Sequence, residues 1–361
     1  MTEYDLLIVG NGFDLASGYG TTYGDFLHRL TMTGAYSPLI DFFKDAYDNR
    51  FVINDEWNGF ENMLCQYLEF LQYLFGEREN VDSIISDEGL NEANHFYCFH
   101  IKNLSRLPSN IYSVLCLTNP LDDHLCFCAD KEFKRYIPKL NSFGNGLEAI
   151  YGRVIIATDP TISKKRCALK ILLDEFETKL NKLEKLLQEF IKGATKKEPS
   201  KPEALKDYSA KRVLSFNYSN TAERLFELSS ENVAYVHGDV STDIVVGIEP
   251  SMISNQRVTE ESDFIKFFKR FRRIYKNCNK DYNRKIMNNL TEESIIGIYG
   301  HSLDLSDRSI LKPFFEKKLQ RYDIYCYRDV DTYKIKLVRL IGLDLYDELE
   351  KDGKINLICV E

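Results

Sequence analysis

An apolar run from Leu6 to Val9 stops against Gly10-Asn11-Gly12, and Gly18 and Gly20 follow closely. A short apolar run bounded by glycine predicts a buried strand, from Tyr4 to Val9. Glycine at its end lets backbone N–H groups approach a ligand with no Cβ in the way. A helix opening near Gly12 would aim its positive end at a phosphate. Gly18 then ends that helix at the C′ position. A tight turn alone would account for the same glycines. The pattern is not G-x-G-x-x-G, because the third glycine is missing. No acid follows a second strand at the ribose-binding distance either, so a standard dinucleotide-dependent dehydrogenase is disfavoured.

The rest of the chain decides what this strand joins. Thr22 and Asp25 form a capping-box pattern that starts a helix near Tyr23. From there to about residue 210 the texture reads as mostly helical. Ile171 to Ile191 is the clearest helix, with Leu172, Leu173, Phe176, Leu180, Leu183, Leu187 and Phe190 at three- and four-residue steps. Residues 192–210, lysine-rich with two prolines, read as a solvated linker. Then short apolar runs alternate with helical stretches. Strands are expected at Arg212–Phe216, Val233–Val236, Ile244–Ile248, Ser294–Tyr299, Asp323–Tyr327 and Lys354–Val360. Helices are expected at Thr221–Leu228, Phe264–Tyr275, from about Asp307, and at Leu343–Lys351. In Phe264–Tyr275 the aromatic residues are expected inside and the charged face in water.

Strands separated by helices predict an α/β fold: an open, mostly parallel sheet with flanking helices. Its strands come from the first residues and from the last 150. Residues 1–30 and 211–361 therefore form the expected α/β core, and 31–210 a large helical insertion after the first strand. The insertion is expected to wall the sheet's carboxyl edge, with Trp57 as a core anchor and Glu61 near the site.

In an open parallel sheet, ligands bind beyond the carboxyl ends of the strands. After the first strand come Gly10, Asn11, Gly12, Phe13 and Asp14. After later strands come Asn217-Tyr218-Ser219-Asn220-Thr221, then His237-Gly238-Asp239, then Gly300-His301-Ser302-Leu303-Asp304. These residue types serve backbone approach, hydrogen bonding and proton transfer. Four such ends together predict a site.

Composition removes other classes. With 361 residues, 44% hydrophobic and 13% aromatic, the chain can build one large or two ordinary domains. A net charge of −8 argues against a general nucleic-acid binder. Nine cysteines with no C-x-x-C pair favour reduced thiols over a zinc site, and no metal is expected. The acidic, polar start lacks the pattern of a secretory signal, and no run approaches the length of a membrane span. A cytoplasmic protein without a membrane partner is expected.

The segments "LLIVGNGFDLASGYGTTYGDF", "WNGFE", "LSFNYSNTAERLF", "YVHGDV…IVVGIE" and "IIGIYGHSLDLSD" resemble, in this order, the AbiH family of bacteriophage abortive-infection proteins. That resemblance implies antiviral defence. The same order is similar to the Rossmann-like, sirtuin-like NAD-hydrolase fold of other phage-defence effectors, which implies NAD as ligand or substrate. On this resemblance Gly10, Asn11, Gly12 and Phe13 would cradle the dinucleotide, together with Gly300, His301, Ser302 and Asp304 or Asp307. Asn217 and His237 would be catalytic, with His237 taking a proton and His301 positioning or supporting; Phe13-Asp14 departs from that pattern, and Asp14 is expected to be catalytic by orienting water or facing the developing positive charge. Ser219 stands where that pattern has an acid, and Asn11 where it has a small residue. An NAD+ glycohydrolase is expected, with a low resting rate released by self-assembly or by a phage-derived trigger. A non-catalytic nucleotide-binding sensor and a nuclease effector are the alternatives.

Overall fold

Leu6–Val9 folds as strand β2, and Thr2–Tyr4 as a separate strand, β1. The single strand expected from Tyr4 breaks at Asp5. There the carboxylate takes the Ile295 N–H at 2.9 Å and Lys211 Nζ at 2.7 Å. The computed structural model describes residues 2–32, 61, 65, 68, 85–91, 96–101, 125–127, 153–157, 164–250, 262–276, 278, 282–327 and 329–360. Trp57 lies outside these residues. The chain divides into two units: Met1–Arg29 with Glu184–Met252 and Phe267–Glu361, and Leu30–Leu183 with Ile253–Lys266.

The first unit is built on a six-stranded sheet with every neighbouring pair parallel. Strands are numbered along the chain, with β3 (Ile85–Asn91), β4 (Phe96–Ile101), β5 (Leu125–Phe127), β6 (Arg153–Ala157) and β7 (Tyr208–Ala210) following β2; besides β2 this sheet contains β8 (Val213–Ser215), β9 (Val233–Tyr235), β10 (Ile295–Tyr299), β11 (Arg321–Tyr327) and β12 (Ile355–Val360). The order across the sheet is β12-β11-β10-β2-β8-β9. Starting from β2, the chain adds β8 and β9 on one side and β10, β11 and β12 on the other. The direction of winding reverses between β2 and β10, and in open α/β sheets ligands bind beyond the carboxyl ends at such a switch point.

The two-residue period of β2 shows that helices cover both faces. Leu6 and Ile8 enter one core with Ile296, Ile298, Leu311, Phe314, Leu337 and Leu349. These helical residues come from Arg308–Glu316, Val330–Ile341 and Leu343–Lys351. Leu7 and Val9 enter a second core with Phe13, Val213, Ala222, Val233 and Tyr299. A strand covered on both sides reads as a continuous apolar run, as Leu6–Val9 does. Helix α1, Asn11–Ala16, follows β2 directly and ends at Ser17, with Gly18 at φ +92° in the C′ position.

Three expectations are corrected. Ile244–Ile248 is buried but is not a strand of the sheet; its one ladder contact is a bridge from Ile248 to Phe268. The Val246 N–H instead donates to the Glu184 side chain at 2.8 Å. Among the described residues of 31–210, strands that were not expected stand beside the expected helix. They include a four-stranded antiparallel sheet of Ile85–Asn91, Phe96–Ile101, Leu125–Phe127 and Arg153–Ala157. Runs such as "FYCFHI" and "RVIIA" carry the aromatic and β-branched residues that suit strands. In that range the helix Lys164–Ala194 contains the expected 171–191 stretch, and Tyr208–Ala210 pairs with β1 rather than running free.

The third correction concerns helix Lys269–Tyr275. Phe268 is extended and separates it from the turn at Ser262–Ile265, so the expected single helix is two. Phe264, Phe267 and Phe268 are buried as expected, but in Lys269–Tyr275 the faces are inverted. Lys269, Arg272 and Arg273 are buried, while Phe271, Ile274 and Tyr275 are 40%, 69% and 77% exposed.

Candidate functional site

Four adjacent strands, β10, β2, β8 and β9, deliver their carboxyl ends side by side. Directly beyond them lie Gly300, Gly10, Asn217 and His237. The two loops at the switch point pack backbone against backbone. A Cβ on Gly10 would meet Gly300 O and His301 Cα, both at 2.6 Å; one on Gly12 would meet Gly300 Cα at 2.8 Å. Gly300 has φ +66°, and its Cβ would lie 2.2 Å from Phe13 N. The glycines thus permit contact between two loops of the protein. The N–H groups of Gly10, Gly12 and Phe13 donate to Tyr299 O, Gly300 O and Gly10 O. They are committed to carbonyls in this arrangement rather than presented as a phosphate cradle.

The other expected residues take distinct places. Phe13 is core, edge-on to Tyr299 and stacked near Phe226. Asn11 Oδ1 accepts from Thr21 Oγ1 at 2.8 Å. Asn217 Nδ2 donates to Gly10 O at 3.0 Å and so ties the β8 end to the glycine loop. Asp304 caps the turn Leu305–Asp307 by accepting from the Leu305 N–H. Ser302 is half-buried between His301 and Leu303.

Asp14 and Ser219 meet behind this seam. The Ser219 hydroxyl donates to the Asp14 carboxylate, 2.8 Å from Oδ1 and 2.6 Å from Oδ2, and lies 2.8 Å from Thr221 Oγ1. Burial raises the Asp14 pKa to about 6, with hydrogen bonds from Ser219, Thr221 and Asn217 offsetting part of the rise.

The second cluster centres on Asp307. His237 Nε2 lies 3.0 Å from Asp307 Oδ1, Lys269 Nζ 3.2 Å from the same oxygen, and His301 Nε2 3.6 Å from Oδ2. Burial alone would raise the Asp307 pKa. The Lys269 ammonium, His237 and His301 outweigh it and hold the carboxyl well below its usual range. His237 moves down to about 4, first through burial and then through Lys269, against the pull of Asp307. The carboxylate is therefore ionised and the imidazole neutral at pH 7. The Nδ1 atom of His237 is buried and has no hydrogen-bond partner among the described residues. His301 differs: its Nδ1 accepts the Leu303 N–H at 2.9 Å, which supports Leu303 at φ +54°.

One aromatic ring walls the Asp307 cluster. Phe216 sets its ring edge-on to His301 at 4.3 Å and to His237 at 5.7 Å. Further buried charges surround them. Arg273 faces Glu249 at 3.5 Å, Ser309 donates to Glu249 at 3.1 Å, and Arg272 grips both Glu184 oxygens at 2.9 Å.

Sequence reasoning did not pick out Lys269, Arg273 or Glu249. The available signal was the i, i+3, i+4 spacing of Lys269, Arg272 and Arg273, which puts three cations on one stripe. Among the described residues no group of His, Cys, Asp and Glu is arranged to hold a metal ion, and no helix is long and apolar enough to cross a membrane.

The family model described as "Bacteriophage abortive infection AbiH" matches residues 6–140 and 162–326, which together span most of the chain. Both clusters lie within the matched ranges. No curated protein and no solved structure matches the chain.

Proposed function

The chain belongs to the bacteriophage abortive infection AbiH family, and on that premise we propose that it acts by binding NAD+ and hydrolysing the nicotinamide–ribose bond. The observation that carries this is the buried, unpartnered Nδ1 of a neutral His237 at the carboxyl end of β9. A buried polar atom without a partner is costly, and a proton acceptor waiting for substrate explains the cost. The sheet supports the reading as well. Its order, counted along the chain, is the 3-2-1-4-5-6 of doubly wound, Rossmann-like dinucleotide-binding sheets.

The reaction breaks the C1′–N bond, and its electron pair neutralises the pyridinium nitrogen. Nicotinamide leaves uncharged and needs no acid. Water adds to C1′, and its proton is the one to be removed. His237 takes that proton at Nδ1. The Asp14 carboxylate, ionised above about pH 6, orients the water or faces the developing oxocarbenium charge. Asn217 and the packed glycine seam hold the ends of β2, β8 and β10 in register around the sugar. His301, with Nδ1 bound to its own loop, supports the wall.

The test incubates purified protein separately with NAD+, RNA and DNA, and follows NAD+ in infected cells that carry the protein. Nicotinamide and ADP-ribose are the expected products, with both nucleic acids intact. His237→Ala should lower turnover by about 10²–10⁴-fold and abolish protection from phage. NAD+ that stays at its starting level, both with purified protein and through infection, would overturn the proposal.

A further inference from the structure

We propose that Asp307 is the positioning residue of this site: by accepting the His237 Nε2–H it fixes the imidazole tautomer and makes Nδ1 the proton-accepting atom. This rests on the assignment of His237 as proton acceptor. A carboxylate only accepts, so each nitrogen facing it must carry a hydrogen. Asp307 Oδ1 receives both His237 Nε2 and Lys269 Nζ, and Oδ2 faces His301 Nε2. The tautomer of His301 is set independently. Its Nδ1 takes the Leu303 N–H, so the ring hydrogen lies on Nε2, towards the same carboxylate. Three donors thus converge on one anion from the β9 end, the β10 loop and the Lys269–Tyr275 helix.

The opposite tautomer of His237 would set the Nε2 lone pair against the Asp307 oxygen and leave a buried Nδ1–H. A ring doubly protonated at rest would place a second cation beside Lys269; that state forms only as the reaction delivers a proton to Nδ1, and the Asp307 carboxylate then faces the imidazolium. Both arrangements are unfavourable where water does not screen, and His237, Lys269 and Asp307 are all less than a tenth exposed. Phe216, edge-on to both imidazoles, restrains the ring planes. Lys269 keeps the anion in place, which gives a buried lysine in this site a chemical reason.

Asp307→Asn is the sharp variant, because it preserves shape and removes the all-acceptor character. One amide oxygen cannot serve three donors, and the NH₂ can donate to His237 Nε2 and move the ring hydrogen to Nδ1. An aspartate-to-asparagine change beside a catalytic histidine acts in this way elsewhere.

Two measurements test the proposal. Nitrogen-15 NMR of histidine-labelled wild-type protein, with His237 assigned from the signal lost in His237→Gln, should show Nε2 protonated and Nδ1 unprotonated at pH 7. Steady-state kinetics of Asp307→Asn should show kcat for NAD+ reduced by about 10²–10⁴-fold with KM changed only a few-fold. A wild-type His237 protonated at Nδ1 would overturn the proposal even where Asp307→Asn fails to fold. So would a folded Asp307→Asn that keeps wild-type kcat while His237→Ala is inactive. A wild type that shows the expected tautomer but never turns over NAD+ would instead overturn the hydrolase reading, and the proposal with it.

Discussion

Asp14 and Asp307 sit in the same unit, beside the carboxyl ends of the same sheet, and both are buried. Their acidities nevertheless part. Asp14 is surrounded by hydroxyl and amide groups, and burial lifts its pKa to about 6. Asp307 meets Lys269 and two imidazoles and stays ionised far below its usual range. Burial is common to both, so the neighbours decide. Hydroxyls stabilise a carboxylate less than they lose by excluding water; an ammonium within 3.2 Å reverses the balance. Two carboxyls pushed apart in this way divide the labour of a site. Here one is poised near neutrality beside the proposed reaction, and the other is a permanent anion that orients a base.

The difference has a pH signature. The contribution of Asp14 to stability is complete below its ordinary value of 3.8 and is lost as pH rises through about 6. That of Asp307 is complete above 3.8 and is lost as pH falls through its depressed value. That of His237 is complete above 6.5 and is lost as pH falls through about 4. Between pH 6.5 and 4, acidification therefore favours the fold at Asp14 and opposes it at His237.

The largest expected effect breaks the seam that holds both carboxyl pockets. Gly300→Ala adds a Cβ that lies 2.2 Å from Phe13 N, on a residue at φ +66°. Strain and overpacking together should lower stability by about 3 kcal/mol or more. Chemical denaturation reads this, and a native midpoint would show that the loops can separate without cost. The smallest expected effect sharpens the Asp14 half. Ser219→Ala removes the hydroxyl that both Asp14 oxygens share. It should raise the Asp14 pKa further and cost about 1–2 kcal/mol at pH 7. The pH dependence of the midpoint checks it; an Asp14 titration unmoved by Ser219→Ala would remove Ser219 from the account.

Much of the sheet was legible because a strand buried on both faces has little choice of sequence. Leu6–Val9 and Ile295–Tyr299 read as apolar runs, and the residues at four strand ends marked one edge. Other elements depended on partners far away in sequence. Helix Lys269–Tyr275 has two stripes, Lys269/Arg272/Arg273 and Phe271/Ile274/Tyr275, and its periodicity does not say which one turns inward. The carboxylates of Asp307, Glu184 and Glu249 decide that, and they come from three separate segments. Ile244–Ile248 has the composition of a strand but finds a side-chain acceptor in Glu184 instead of a neighbour in the sheet. The Asp14–Ser219 pair was invisible for the same reason, since 205 positions separate its members.

The most direct test compares two isosteric variants, Asp14→Asn and Asp307→Asn, by equilibrium denaturation at pH 7. Asp14→Asn removes a buried charge and keeps an oxygen for Ser219. The account predicts that it stabilises the protein, by about 1–3 kcal/mol from the size of the pKa rise. Asp307→Asn takes the anion from beside buried Lys269 and should destabilise by about 3–5 kcal/mol. Opposite signs are the predicted result. Two changes of the same sign would contradict the division of the site into a poised carboxyl and a permanent anion.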